Sequence, residues 1–124
     1  MTIKIPGVDV ESGLDLCDGE VDIYLRVLRS YIIDVTGALE KIRNVSKETL
    51  KDYAVSVHGV KSTSAAIGAE ETRKVAKQLE DMAKGGDLAG VLAINSAFVK
   101  NTENLVAGVR AWLEKNDAGA QPRR

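Results

Sequence analysis

Four stretches of this chain repeat apolar side chains at intervals of three and four, a period that leaves little choice but helices packed on helices. Between Asp18 and Ile42 the pattern is carried by Val21, Tyr24, Leu25, Leu28, Tyr31, Ile32, Val35, Leu39 and Ile42. It resumes after Ser46 and runs to about Ile67, then again over Ala69–Lys84 through Val75, Ala76, Leu79, Met82 and Ala83. The last and longest stretch carries Leu88, Val91, Leu92, Ile94, Ala97, Phe98, Leu105, Val109, Trp112 and Leu113, with a bend expected near Asn101–Asn104. Strand-like alternation is nearly absent and the connections are short. The expected fold is therefore all-α, an antiparallel up-down four-helix bundle.

The punctuation between these stretches agrees with that expectation. Ser46 suits an N-cap, because its hydroxyl can accept from a free first-turn amide, and Glu48 complements the helix dipole. Gly68 can close the second bundle helix in the left-handed conformation. Gly85-Gly86 stops the third, and Asp87 can cap the fourth. Upstream, Pro6-Gly7 followed by Val8–Cys17 predicts a short N-terminal lead-in helix over one end of the bundle. The expected organisation is a lead-in segment over residues 1–17, the bundle over 18–115, and a polar tail over 116–124 without fixed structure.

With 124 residues there is room for one core. The 17 basic and 18 acidic residues are intermixed, for a net charge of −1, which removes the broad positive field that nucleic acid or anionic lipid needs. No run approaches the roughly 18 apolar residues of a membrane span. Met1–Asp9 also lacks the basic start and apolar run of a signal peptide. A cytoplasmic monomer with neither membrane nor nucleic acid as partner is expected. Cys17 is the only cysteine and His58 the only histidine, so no internal disulfide and no Cys/His zinc set can form. Bundle metal sites use Glu-x-x-His pairs, and the residue three before His58 is Val55. The chain is expected to hold no metal and no cofactor of its own.

One segment does not look like scaffold. Ala69–Lys84 is charged at about every second position, whereas Ala54–Ala69 carries one formal charge, Lys61, besides His58. At roughly 100° per residue, Leu50, Tyr53, Ala54, Val57, Val60, Ser64 and Ile67 share the core side of this helix, and His58 falls on its flank. Around it stand Val55, Gly59, Ser62, Ala65 and Ala66, side chains low enough for another protein to approach the imidazole. Gly59 costs a helix interior about 1 kcal/mol relative to alanine, which suggests a need for clearance. Lys61, three residues on, can reach a group attached to the imidazole and, before that, disfavours imidazolium by like charge. No acid sits at 54, 55, 61 or 62 to favour the charged ring, so a neutral nitrogen nucleophile is expected.

The run His58-Gly59-Val60-Lys61-Ser62-Thr63-Ser64-Ala65-Ala66-Ile67-Gly68-Ala69 resembles the motif of the histidine-containing phosphotransfer (HPt) family, a phosphorylated His followed by x-[LIV]-K-G and later by G-A. Ile5-Pro6-Gly7-Val8-Asp9 is similar to the family's lead-in, Tyr24…Leu28…Tyr31 to its first bundle helix, and Leu79-Glu80…Gly86-Asp87 to its third helix and turn. Ser62 departs from the pattern, since the family usually has glycine there. The resemblance implies phosphorylation of His58 at the outer nitrogen, with Lys61 as phosphate counter-charge and Ser62 as a small floor that can bond a phosphoryl oxygen. It implies Gly68 as the packing and capping glycine.

The resemblance also implies a relay. Phosphate arrives from a receiver-domain aspartyl phosphate and leaves to another receiver, with Mg²⁺ and a lysine supplied by that partner. The partners implied are response-regulator receiver domains, among them that of a hybrid histidine kinase. Docking would use Val55, Gly59, Ser62, Ala65 and Ala66. No glycine-rich phosphate loop is present, so a phosphotransfer intermediate is expected rather than an ATP-dependent enzyme. Two other roles stay open at this point: a helical adaptor whose histidine is inert, and the phosphorylatable domain of a chemotaxis-type kinase.

Overall fold

A computed structural model describes residues 3–116, and among these the secondary structure is helical throughout. The elements are α1 (Val10–Leu16), α2 (Val21–Ile42), α3 (Leu50–Ile67), α4 (Glu70–Lys84) and α5 (Leu88–Asn116). The helices α2, α3, α4 and α5 pack each on the next and α5 on α2, closing a ring around one core, while α1 lies against α3 and α2. The core is built from the stripes that the three-and-four spacing marks out, including Tyr24, Leu28, Tyr31, Val35, Ile42, Val57, Val60, Ile67, Leu79, Val91 and Val109. No helix among the described residues is long and apolar enough to cross a membrane.

Several boundaries differ from expectation for local reasons. The first long helix begins at Val21 rather than Asp18, because Asp18 and Gly19 both adopt left-handed backbone (φ 54° and 77°) and turn the chain. Ser46 caps a turn and not the helix itself: its N–H donates to Thr49 Oγ1 at 2.9 Å, Thr49 N–H faces Ser46 Oγ at 3.3 Å, and α3 starts at Leu50. The last helix runs unbroken through Asn101–Asn104 to Asn116, so Asn116 belongs to the helix and not to the tail. The rest of the expected tail, 117–124, lies outside the described residues. Leu92 is exposed, and the α5 stripe instead buries the polar Asn95 and Thr102.

The end of α3 is locked to the lead-in. Gly68 has φ 89° and ψ 22°, with its N–H on Ala65 O. A Cβ on Gly68 would fall on the Asp9 carbonyl oxygen. Asp9 in turn donates its N–H to Gly68 O at 2.8 Å and caps α1 by accepting from Ser12 N–H at 3.2 Å. Tyr24 OH donates to Ile67 O at 2.8 Å, and Gly13 lets α1 pass over that contact, where a Cβ would strike the Tyr24 ring and the Ile67 carbonyl. Two buried polar links set the register of the longer helices. Asn95 accepts from Tyr53 OH at 2.6 Å and donates to Ile42 O at 2.8 Å, and Tyr31 OH lies 3.3 Å from Ser64 Oγ. Burial pushes the Tyr24 and Tyr31 phenols up to about 12, which keeps both protonated.

Candidate functional site

The core stripe of α3 is Leu50, Tyr53, Ala54, Val57, Val60, Ser64 and Ile67, as the helical period predicts. His58 follows Val57 and therefore emerges at the edge of that stripe, its side chain 54% exposed. On α4 the buried positions are Ala76, Leu79, Glu80 and Ala83, so an acidic residue occupies a place where the spacing calls for an apolar one. That placement brings the Glu80 carboxylate beneath the imidazole, 22 residues away in sequence.

Three nitrogen groups converge on Glu80. His58 Nδ1 lies 2.7 Å from Oε2, Lys84 Nζ lies 2.9 Å from the same oxygen, and Lys61 Nζ lies 2.8 Å from Oε1. The carboxylate side chain is only 3% exposed, while the His58, Lys61 and Lys84 side chains that reach it are 54%, 26% and 65% exposed. Burial pushes this carboxyl up, but Lys61, Lys84 and His58 together outweigh burial and hold it down to about 2. Glu80 is thus ionised and can only accept a hydrogen bond, so Nδ1 is the donor. In a neutral imidazole the other nitrogen, Nε2, then carries the lone pair. Among the described residues no hydrogen bond occupies Nε2. One nitrogen is fixed by the fold and the other is presented outward.

The expectation that no acid favours the charged ring, drawn from positions 54, 55, 61 and 62 of α3 alone, is corrected here: Glu80 of α4 supplies one, and the Lys61 ammonium is bound to it. Glu80 and Lys84 were not foreseen as site residues. The available signal was the place of Glu80 in the 76-79-80-83 stripe, obscured by the density of charge on α4.

Val55 is 72% exposed, Gly59 and Ser62 are exposed, and Ala65 and Ala66 are half-buried. A Cβ at Gly59 would meet nothing within 4 Å, so no internal packing requires glycine there. Thr63 is satisfied locally, donating to Gly59 O at 3.0 Å. The groove between α5 and the α2–α3 connection, lined by Arg43, Asn95, Lys100 and Glu103, does not include His58. Among the described residues no three His, Cys, Asp or Glu side chains converge as a metal site needs.

A family model described as the Hpt domain matches residues 26–112, a span that includes His58, Lys61, Glu80 and Lys84. No curated protein and no solved structure matches the chain.

Proposed function

The chain belongs to the Hpt domain family, the phosphotransfer modules of two-component signalling, and we propose that His58 is its phospho-accepting residue, taking a phosphoryl group from one receiver domain and passing it to another. The observation that carries this reading is the 2.7 Å contact of Nδ1 with an ionised Glu80, which leaves the lone pair on the exposed side of the ring.

In the forward step the Nε2 lone pair forms a bond to phosphorus, and the bond to the aspartyl oxygen of the donor breaks, leaving that oxygen with its electron pair as a carboxylate. Nδ1 keeps its proton, so the ring gains a positive charge as the N–P bond forms. Glu80 faces that charge from the opposite side of the ring, and its hydrogen bond strengthens as the charge develops. Transfer of this kind depends on in-line positioning and on neutralising the phosphoryl oxygens, which the receiver supplies with its Mg²⁺ and lysine. On this side Lys61 is the counter-charge: its ammonium moves from Glu80 Oε1 to a phosphoryl oxygen once one is present. Ser62 offers a hydroxyl and a low floor.

The receiver docks over Val55, Gly59, Ser62, Ala65 and Ala66, a nearly charge-free flank suited to brief encounters. In the same reading residues 18–115 form one antiparallel up-down bundle. Tyr24 near the start of α2 bonds Ile67 at the end of α3, and Asn95 ties the end of α2 to the start of α3, as that course requires. The protein works as a cytoplasmic monomer without a nucleotide or metal of its own.

The test is incubation with a radiolabelled phosphoreceiver, beside His58→Gln. Label that enters the wild type alone, survives base and is lost in acid supports the relay role. A folded wild-type bundle that binds a phosphoreceiver yet gains no label defeats it.

A further inference from the structure

Among the groups around His58, Lys84 has no place in the scheme so far. It is four residues after Glu80 on α4, its side chain is 65% exposed, and its ammonium meets Oε2, the very oxygen that accepts from Nδ1. Lys61 meets the other oxygen, so Lys84 is the cation that competes directly with the ring for one acceptor. A lone carboxylate against an imidazole favours imidazolium, which has no nucleophilic lone pair. A carboxylate shared with two ammonium groups can orient the ring while drawing the proton much less strongly.

We propose that Lys84 is a positioning residue of the phosphotransfer site: by sharing Oε2 with His58 it lets Glu80 orient the Nδ1–H tautomer without converting the ring to unreactive imidazolium. This assignment rests on the reading of His58 as the phospho-acceptor. The charged groups around the ring are few enough for the effect to be read. From α3 itself comes Lys61 and from α4 come Glu80 and Lys84. The charged groups of α2 that face α3, among them Lys41, Asp34 and Arg26, line two grooves with Asp52, Val55 and Ala66 of α3, and neither groove includes His58. Asp9, which caps α1, is held at the far Gly68 end.

The experiment follows the His58 ring nitrogens by ¹⁵N NMR across pH in the unphosphorylated full chain, in wild type, Lys84→Met and Lys84→Arg. Loss of the charge in Lys84→Met moves the pH midpoint for ring protonation upward by about half a unit, the size expected for a unit charge about 5 Å away in largely aqueous surroundings. Lys84→Arg restores the wild-type midpoint. In the receiver assay the acid limb of the rate–pH profile moves in the same direction and by the same amount. A Lys84→Met midpoint equal to wild type, or a Lys84→Arg midpoint equal to that of Lys84→Met, overturns the assignment. Because the titration needs no receiver, failure of phosphotransfer in the wild type is a separate result that strikes the relay reading alone.

Discussion

Replacing Glu80 with glutamine removes the negative charge beneath the ring but keeps an oxygen that can accept from Nδ1, so it separates orientation from electrostatics. The stability effect should be moderate. Breaking a fully buried ion pair by deleting one partner costs about 3–5 kcal/mol, because the remaining charge is stranded. Here the stranded groups are Lys61 and Lys84, 26% and 65% exposed, and both can turn into water. The expected loss is therefore about 1–3 kcal/mol, between the range of surface pairs and the roughly 3 kcal/mol that a carboxyl held at about 2 rather than 4.5 implies. The effect on transfer is read separately. As the N–P bond forms, a hydrogen bond to a charged acceptor is replaced by one to a neutral amide, a difference of about 1–1.5 kcal/mol, which is roughly a tenfold slower step. The assay is the initial rate of acid-labile label appearing on the protein at saturating phosphoreceiver, beside a urea titration of each variant. A Glu80→Gln protein that is labelled within about twofold of the wild-type rate would refute the argument that Glu80 stabilises charge on the ring.

Gly59→Leu should raise the urea midpoint, since a Cβ there meets no atom within 4 Å and the substitution recovers about 1 kcal/mol of helix propensity. It should also slow transfer from a receiver by at least about fivefold, equivalent to about 1 kcal/mol of lost docking; unchanged transfer would place the docking surface elsewhere. Gly68→Ala forces an L-residue into left-handed backbone and pushes against Asp9. The expected cost is about 2–3 kcal/mol, from about 1–2 for the conformation and about 1 for the disturbed Asp9–Gly68 hydrogen bond. A loss below about 0.5 kcal/mol in urea unfolding would contradict the close approach of α1. For Glu80 the folded carboxyl is depressed to about 2 from an ordinary 4.5, so its stabilising contribution is complete above about 4.5 and is lost as pH falls through about 2. The stability difference between wild type and Glu80→Gln should shrink between pH 5 and pH 2; a constant difference would contradict the depressed carboxyl.

What was legible in the chain followed from short-range rules. The α3 stripe from Leu50 to Ile67, the emergence of His58 beside it and the left-handed closure at Gly68 each depend on a few consecutive residues, and each is found where period and glycine chemistry put it. The misplaced starts have equally local causes, in the left-handed pair Asp18-Gly19 and the Ser46–Thr49 turn, which outcompete the helix for one more turn. Glu80 was hidden for a different reason. Its meaning depends on the packing of α3 against α4, and a charged residue on a charged helix reads as solvated until the partner helix covers it. Lys61 was recognised but its contact was not, because the anion it binds arrives from another helix. Asn95 likewise stands in an apolar stripe of α5 only because Tyr53 and the Ile42 carbonyl satisfy it from two other helices.

The central claim, that the fold holds Nδ1 of His58 on Glu80 and offers Nε2 for phosphorylation, is tested most directly by ³¹P and ¹⁵N NMR of the protein after labelling by a phosphoreceiver. The account predicts one phosphoryl group whose phosphorus couples to Nε2 of His58, with Nδ1 still bearing its proton. Phosphorus coupled to Nδ1, or attached to any residue other than His58, would contradict it.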